Sequence, residues 1–211
     1  MKKSIIALIL SFALLTCMTA CSGSKKDPEP TPGGDNTPNV TETVYDKLDK
    51  FADLKYQQIK LAVVTVTGGI QLSANYTLTE NNVTYSVEQL NMLPSNGDLT
   101  GVSPEYKTTY TGYAKIVDGK VTELDGEGVT LPSYDELKGN FSFAESNFKN
   151  VTTQGNSFSA DVVSPSNFYG STVNVQNMKV IVEYTETAFS KMVITYQTAN
   201  STVTTTYEFA V

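Results

Sequence analysis

Residues 70–78 read IQLSANYTL, apolar at every second position. Ile70, Leu72, Ala74, Tyr76 and Leu78 share one side of an extended backbone, and no helix would gather these five on one face. The spacing predicts a strand buried on one side. The same alternation continues at Val83, Tyr85 and Val87, beyond an Asn81-Asn82 turn. It returns at Phe158, Ala160 and Val162 after Gly155-Asn156, and again at Met178, Val180, Val182 and Tyr184. Met192, Ile194 and Tyr196 follow, then Val203, Thr205, Tyr207 and Phe209. Residues 107–117 and 120–124 flank Asp118-Gly119, a pair suited to the left-handed backbone of a two-residue hairpin turn. With the runs 57–67 and 147–153, about ten strands are predicted.

Helical spacing is strongest at Val44, Leu48, Phe51 and Ala52, with acidic residues and Lys50 on the other faces. A helix is predicted over about residues 42–55, capped by Thr41 or Thr43. Ser133, with Glu136 three positions on, reads as a capping box for a short helix over 133–139. Ser164-Pro165 opens another helical turn. Short connections make neighbouring strands antiparallel, and one apolar face per strand implies a sheet wet on its other side. The expected fold is therefore α+β, predominantly antiparallel β. It is a curved sheet or half-barrel of about ten strands with the N-terminal helix packed on it, or a closed barrel.

Composition narrows the chemistry. The 211 residues include no His and no Trp, and all 15 basic residues are Lys. Without His there is no Ser-His-Asp triad and no imidazole metal ligand. Without Arg there is no rigid fork for phosphate or carboxylate. A net charge of −7 argues against a nucleic-acid partner, because phosphate neutralisation drives that binding.

The N-terminus has its own logic. Lys2 and Lys3 precede an apolar run at residues 5–15, too short to span a bilayer and suited to a secretory signal. The only two cysteines, Cys17 and Cys21, end this region. Met18-Thr19-Ala20-Cys21 resembles the lipobox of bacterial lipoproteins, with Met18 where Leu is usual. The resemblance implies a signal peptide over 1–20, cleavage before Cys21, and a diacylglyceryl thioether (usually with a further acyl or palmitate-like chain) on Cys21. Cys17, preceded by Thr16, fits that pattern less well. Residues 21–40 are then the lipidated cysteine and a Pro-rich linker too poor in apolar residues to fold. Residues 41–211 form a single β-rich extracytoplasmic domain. Two or three acyl chains on one residue hold a protein at a membrane without a spanning segment. Ser22 after Cys21 permits outer-membrane or cell-surface placement in a Gram-negative organism.

A lipidated leader, a helix and a curved antiparallel sheet together resemble the bacterial lipid and lipoprotein carriers. In those proteins a half-barrel closed by helices encloses an apolar cavity. The resemblance lies in element order and transfers no site residues.

Candidate chemistry is sparse. Glu123, Asp125 and Glu127 are the densest carboxylate group and the weak candidates for a metal site, but the EF-hand order of ligands is missing. Paired carboxylates for glycoside hydrolysis have no distinguishing spacing. Tyr106, Tyr110, Tyr113, Tyr134 and Tyr169 are candidates for an exposed aromatic patch. The expectation is a non-enzymatic, lipid-anchored cell-envelope protein with no cofactor beyond the lipid on Cys21. It binds an apolar or amphipathic ligand in a cavity of a few hundred Å³. The alternative is a surface interaction or assembly protein that binds another protein or a glycan.

Overall fold

A computed structural model describes residues 42–68, 70–91, 107–125 and 134–211. The leader, Cys21, the linker, Tyr106, Glu127 and Ser133 lie outside the described residues.

The first element is helix α1, Val44–Ala52, shorter at both ends than the predicted span. Its start is fixed by a reciprocal capping box. The Thr43 Oγ1 accepts from the Asp46 backbone N–H at 3.2 Å, and the Asp46 carboxylate accepts from the Thr43 N–H at 2.9 Å. The Thr43 hydroxyl also donates to that carboxylate at 2.7 Å, and this bond, with the one from the Thr43 N–H, stabilises the charged form and holds the Asp46 pKa below its usual value. At the other end, the Tyr56 hydroxyl donates to the Phe51 carbonyl and accepts from the Phe189 N–H, tying the helix exit to the sheet.

Ten strands follow: β1 Gln58–Thr67, β2 Ile70–Leu78, β3 Asn82–Asn91, β4 Lys107–Val117, β5 Lys120–Asp125, β6 Phe148–Gln154, β7 Ser157–Val162, β8 Gln176–Tyr184, β9 Phe189–Gln197 and β10 Thr202–Ala210. Two further helices are short, α2 Tyr134–Lys138 and α3 Pro165–Tyr169, and a 3₁₀ turn covers Glu145–Asn147. All ten strands join one antiparallel sheet in the order β5-β4-β3-β2-β1-β10-β9-β8-β7-β6. Two five-strand meanders thus meet where the first strand pairs with the last, Gln58 opposite Ala210 through Val66 opposite Thr202. The sheet is open: β5 and β6 are its edges, so it does not close into a barrel.

The turns are where the sequence placed them. Asp118 and Gly119 both take left-handed backbone, φ 51° and 72°, as a tight hairpin with right-handed strand twist requires. Gly112 meets a different demand. It lies opposite Tyr85, and a Cβ there would collide with the Tyr85 ring and with the Asp125 carbonyl. Only glycine lets the tyrosine cross β4, so its hydroxyl can donate to the Asp125 carbonyl at 3.3 Å.

One face of the sheet is the core. In the β6–β10 half, α1, α3 and the segment 139–147 cover it with aromatic rings. Phe143 is fully buried, with Phe148, Phe158, Phe168 and Phe189 at centroid distances of 5.6–6.1 Å. These are the spacings of touching rings. Phe51 meets Phe189 edge-on, and the Lys47 ammonium lies 5.1 Å from the Tyr184 ring centroid. In the β1–β5 half the buried face carries Leu72, Tyr76, Val83, Tyr85, Val87 and Ala114. The helix α2 lies against β5, with Leu137 fully buried.

Phe143→Ala removes the ring at the centre of this cluster. It is expected to cost about 3–5 kcal/mol, as large aromatic truncations in packed cores do. Urea unfolding followed by circular dichroism measures it, and a loss below about 1 kcal/mol would contradict the packing described.

Candidate functional site

Of the candidate carboxylates, Glu123 and Asp125 are described and Glu127 lies outside the described residues. Glu123 and Asp125 are exposed on edge strand β5, and the Glu123 carboxylate stands 3.6 Å from the Lys115 ammonium. Among the described residues, no three His, Cys, Asp or Glu gather where they could hold a metal ion. No described helix is long and apolar enough to cross a membrane.

Of the five tyrosine candidates, Tyr110, Tyr113 and Tyr169 have described side chains. Tyr113 is 44% exposed on the outer face of β4. Tyr110 and Tyr169 are half-buried against the core. Tyr169 packs on Phe141 and Phe168, because α3 turns it inward. Its phenol is enclosed near those of Tyr196 and Tyr207. Burial raises all three pKa values, Tyr196 to about 12. The described core therefore has a phenylalanine half and, along its midline, a band of tyrosines with buried Thr65 and Thr205.

Sequence reasoning did not single out Tyr76. Its side chain points into the core from β2, its residue is 2% exposed, and it lies directly opposite Tyr85 on β3. Among the described residues the Tyr76 hydroxyl has no hydrogen-bond partner, and burial raises its pKa far above the ordinary phenol value. A buried donor left unpaired is costly. The period-two pattern could mark Tyr76 as inward, but not whether its oxygen meets a partner.

A cavity of about 330 Å³ opens at one end of the sheet, lined by Lys55, Tyr56, Gln57 and residues 79–82. Its lining mixes polar and apolar surface, and two of its residues, Lys55 and Glu80, form an ion pair. This is a surface hollow and differs from the enclosed apolar cavity expected of a carrier.

The outer face of the sheet carries a second pattern. Register places Glu183, Lys191, Glu208 and Lys60 side by side on β8, β9, β10 and β1. The charges alternate along this row. Among the described residues, none of these neighbours closes to an ion pair. The next row, Ile181, Val193, Thr206 and Ala62, carries no charge. The third runs Lys179, Thr195, Thr204 and Val64, and Lys179 at its end lies 3.8 Å from Asp161. Ile181 is 46% exposed. By contrast, the sheet edges are guarded. Strand β5 is charged, and β6 is bulged at left-handed Asn150, whose amide donates to Asp161. Such features discourage strand addition.

No protein-family model and no curated protein matches this chain.

Replacing Tyr76 by Phe removes an unpaired buried hydroxyl, and is expected to leave stability unchanged or raise it. Tyr85→Phe loses a hydrogen bond, and is expected to cost about 0.5–1.5 kcal/mol. Paired thermal melts read the difference, and a clear loss for Tyr76→Phe would show that its hydroxyl has a partner.

Proposed function

We propose that this chain is a non-enzymatic lipoprotein of the bacterial cell envelope, anchored through acyl chains on Cys21. Its domain is an interaction or assembly module working through the outer face of the sheet. The observation that carries this reading is the contrast between the two faces. Beneath α1 the inner face is filled by contacting phenylalanines, while the outer face offers one uncharged row, and a second that is uncharged except for Lys179 at its end, beside an alternating charge row. Broad apolar or uncharged surface beside polar rims is what docking surfaces offer. The lipobox-like residues supply the anchor, and a Pro-rich tether lifts the domain from the membrane. A negative chain without Arg does not favour a nucleic-acid partner.

A second reading keeps the carrier resemblance. In it the sheet curves as a half-barrel, and an apolar or amphipathic ligand sits against the β1–β5 half. The unpaired Tyr76 hydroxyl favours it, since a ligand oxygen placed there would satisfy that donor.

Native material from membranes tests the anchor and separates the readings. Intact mass is expected to give a chain beginning at Cys21 plus acyl-glyceryl mass, and Cys21→Ala is expected to move the protein to the soluble fraction. A bare Cys21 thiol would overturn the anchor. Organic extraction of purified protein is expected to release no stoichiometric amphiphile beyond the covalent lipid. One bound amphiphile per chain would instead favour the carrier reading.

A further inference from the structure

We infer that the outer face of the sheet docks a second copy of the same chain, face to face, about a two-fold axis parallel to the strands and lying between β9 and β10. The inference rests on the reading of that face as the working surface, and adds the partner.

The charge row selects the partner. Along it the order is Glu183, Lys191, Glu208, Lys60, alternating in sign with an even number of members. A two-fold axis at its midpoint reverses the order. Lys191 then faces Glu208 of the second copy, and Glu183 faces Lys60 of the second copy. Every member meets its opposite, as an isologous interface requires. An axis along β10 would instead set Lys60 against Lys191, so the row also fixes the register. Glu183, Glu208 and Lys60 are exposed and Lys191 is half-buried, and none of the four makes an ion pair among the described residues.

The neighbouring rows fit the same operation. Thr206 meets Val193 of the second copy, and small Ala62 meets the larger, 46% exposed Ile181. In the third row Thr204 meets Thr195, and Lys179, beside Asp161 of its own sheet, meets Val64. Exposed ion pairs add little affinity, so the charges act as a selector while the uncharged row and the Thr and Val members of the third row bury area. Outward residues are spaced about 4.8 Å across strands and about 6.8 Å along them. Three rows across the six strands from β2 to β7 therefore cover roughly 600 Å² per copy, about 1,200 Å² in total, the lower end of specific interfaces. Two sheets packed this way align within about 30°, as in a sandwich.

The axis suits chains held on one membrane. A two-fold parallel to the strands leaves the two α1 helices at the same end of the pair, so both tethers reach one bilayer. Anchoring in a plane raises the effective concentration of a weak pair.

Full chain in a density-matched mild detergent tests this by analytical ultracentrifugation. Wild type is expected to form dimers that weaken as salt rises. Lys191→Glu and Glu208→Lys, each alone, are expected to weaken the dimer at least tenfold, because like charges then face each other across the axis. An equimolar mixture of the two variants is expected to restore a dimer. In that mixture Glu at 191 meets Lys at 208 of the other chain, while each chain's own sheet still carries like neighbours. Circular dichroism checks that both variants fold. A monomeric wild type, a dimer indifferent to both variants, or a mixture that stays monomeric would each overturn the second copy. Amine labelling of Lys60 and Lys191 in native membranes, against Lys50 on α1, separates that failure from failure of the broader reading. Protection of both lysines with a monomeric purified chain means a different partner on this face, and labelling as fast as Lys50 removes the face as a working surface.

Discussion

The pairing of β1 with β10 is the constraint on which the rest of this structure depends. Each meander builds its own ladder from local turns, but only this pairing, between the two ends of the domain, makes one sheet. It brings Tyr56 and Phe209 into contact with Phe189, the point where α1, β1, β9 and β10 converge. Closing so long a loop has an entropic cost that local contacts do not share. The inward side of this seam is Ile59, Leu61, Val203 and Tyr207, all buried, and that burial offsets the cost.

The seam also creates both faces. Inward, it joins the phenylalanine half to the tyrosine band, so helix α1 is packed on rings from strands distant in sequence. Outward, it places Lys60 beside Glu208 and completes a charge row whose other members come from β8 and β9. Neither half alone carries the row. Structure and proposed function thus share one origin: the pairing that fixes the core register also fixes the order of charges offered to a partner.

Much of the fold was legible because period-two burial is written locally. The ten strands, the Asp118-Gly119 hairpin and α1 with its Thr43 cap follow from neighbours within a few residues. The strand order was not legible, since alternation says which side of a strand is buried but not which strand lies beside it. The charge row was invisible for that reason, as its members are far apart in sequence. Tyr169 was misplaced because its exposure depends on α3, whose left-handed Gly170 cap turns the chain back over the core. The carboxylates at Glu123 and Asp125 drew attention by density, yet on their exposed edge strand no third carboxylate joins them among the described residues.

Native-state hydrogen exchange under increasing denaturant tests the central pairing most directly. If β1 and β10 hold the sheet together, their paired amides open only with global unfolding, and strands β1–β5 and β6–β10 lose protection in one transition. Two separate transitions, with the β1 and β10 amides exchanging early, would contradict a single sheet joined at this seam.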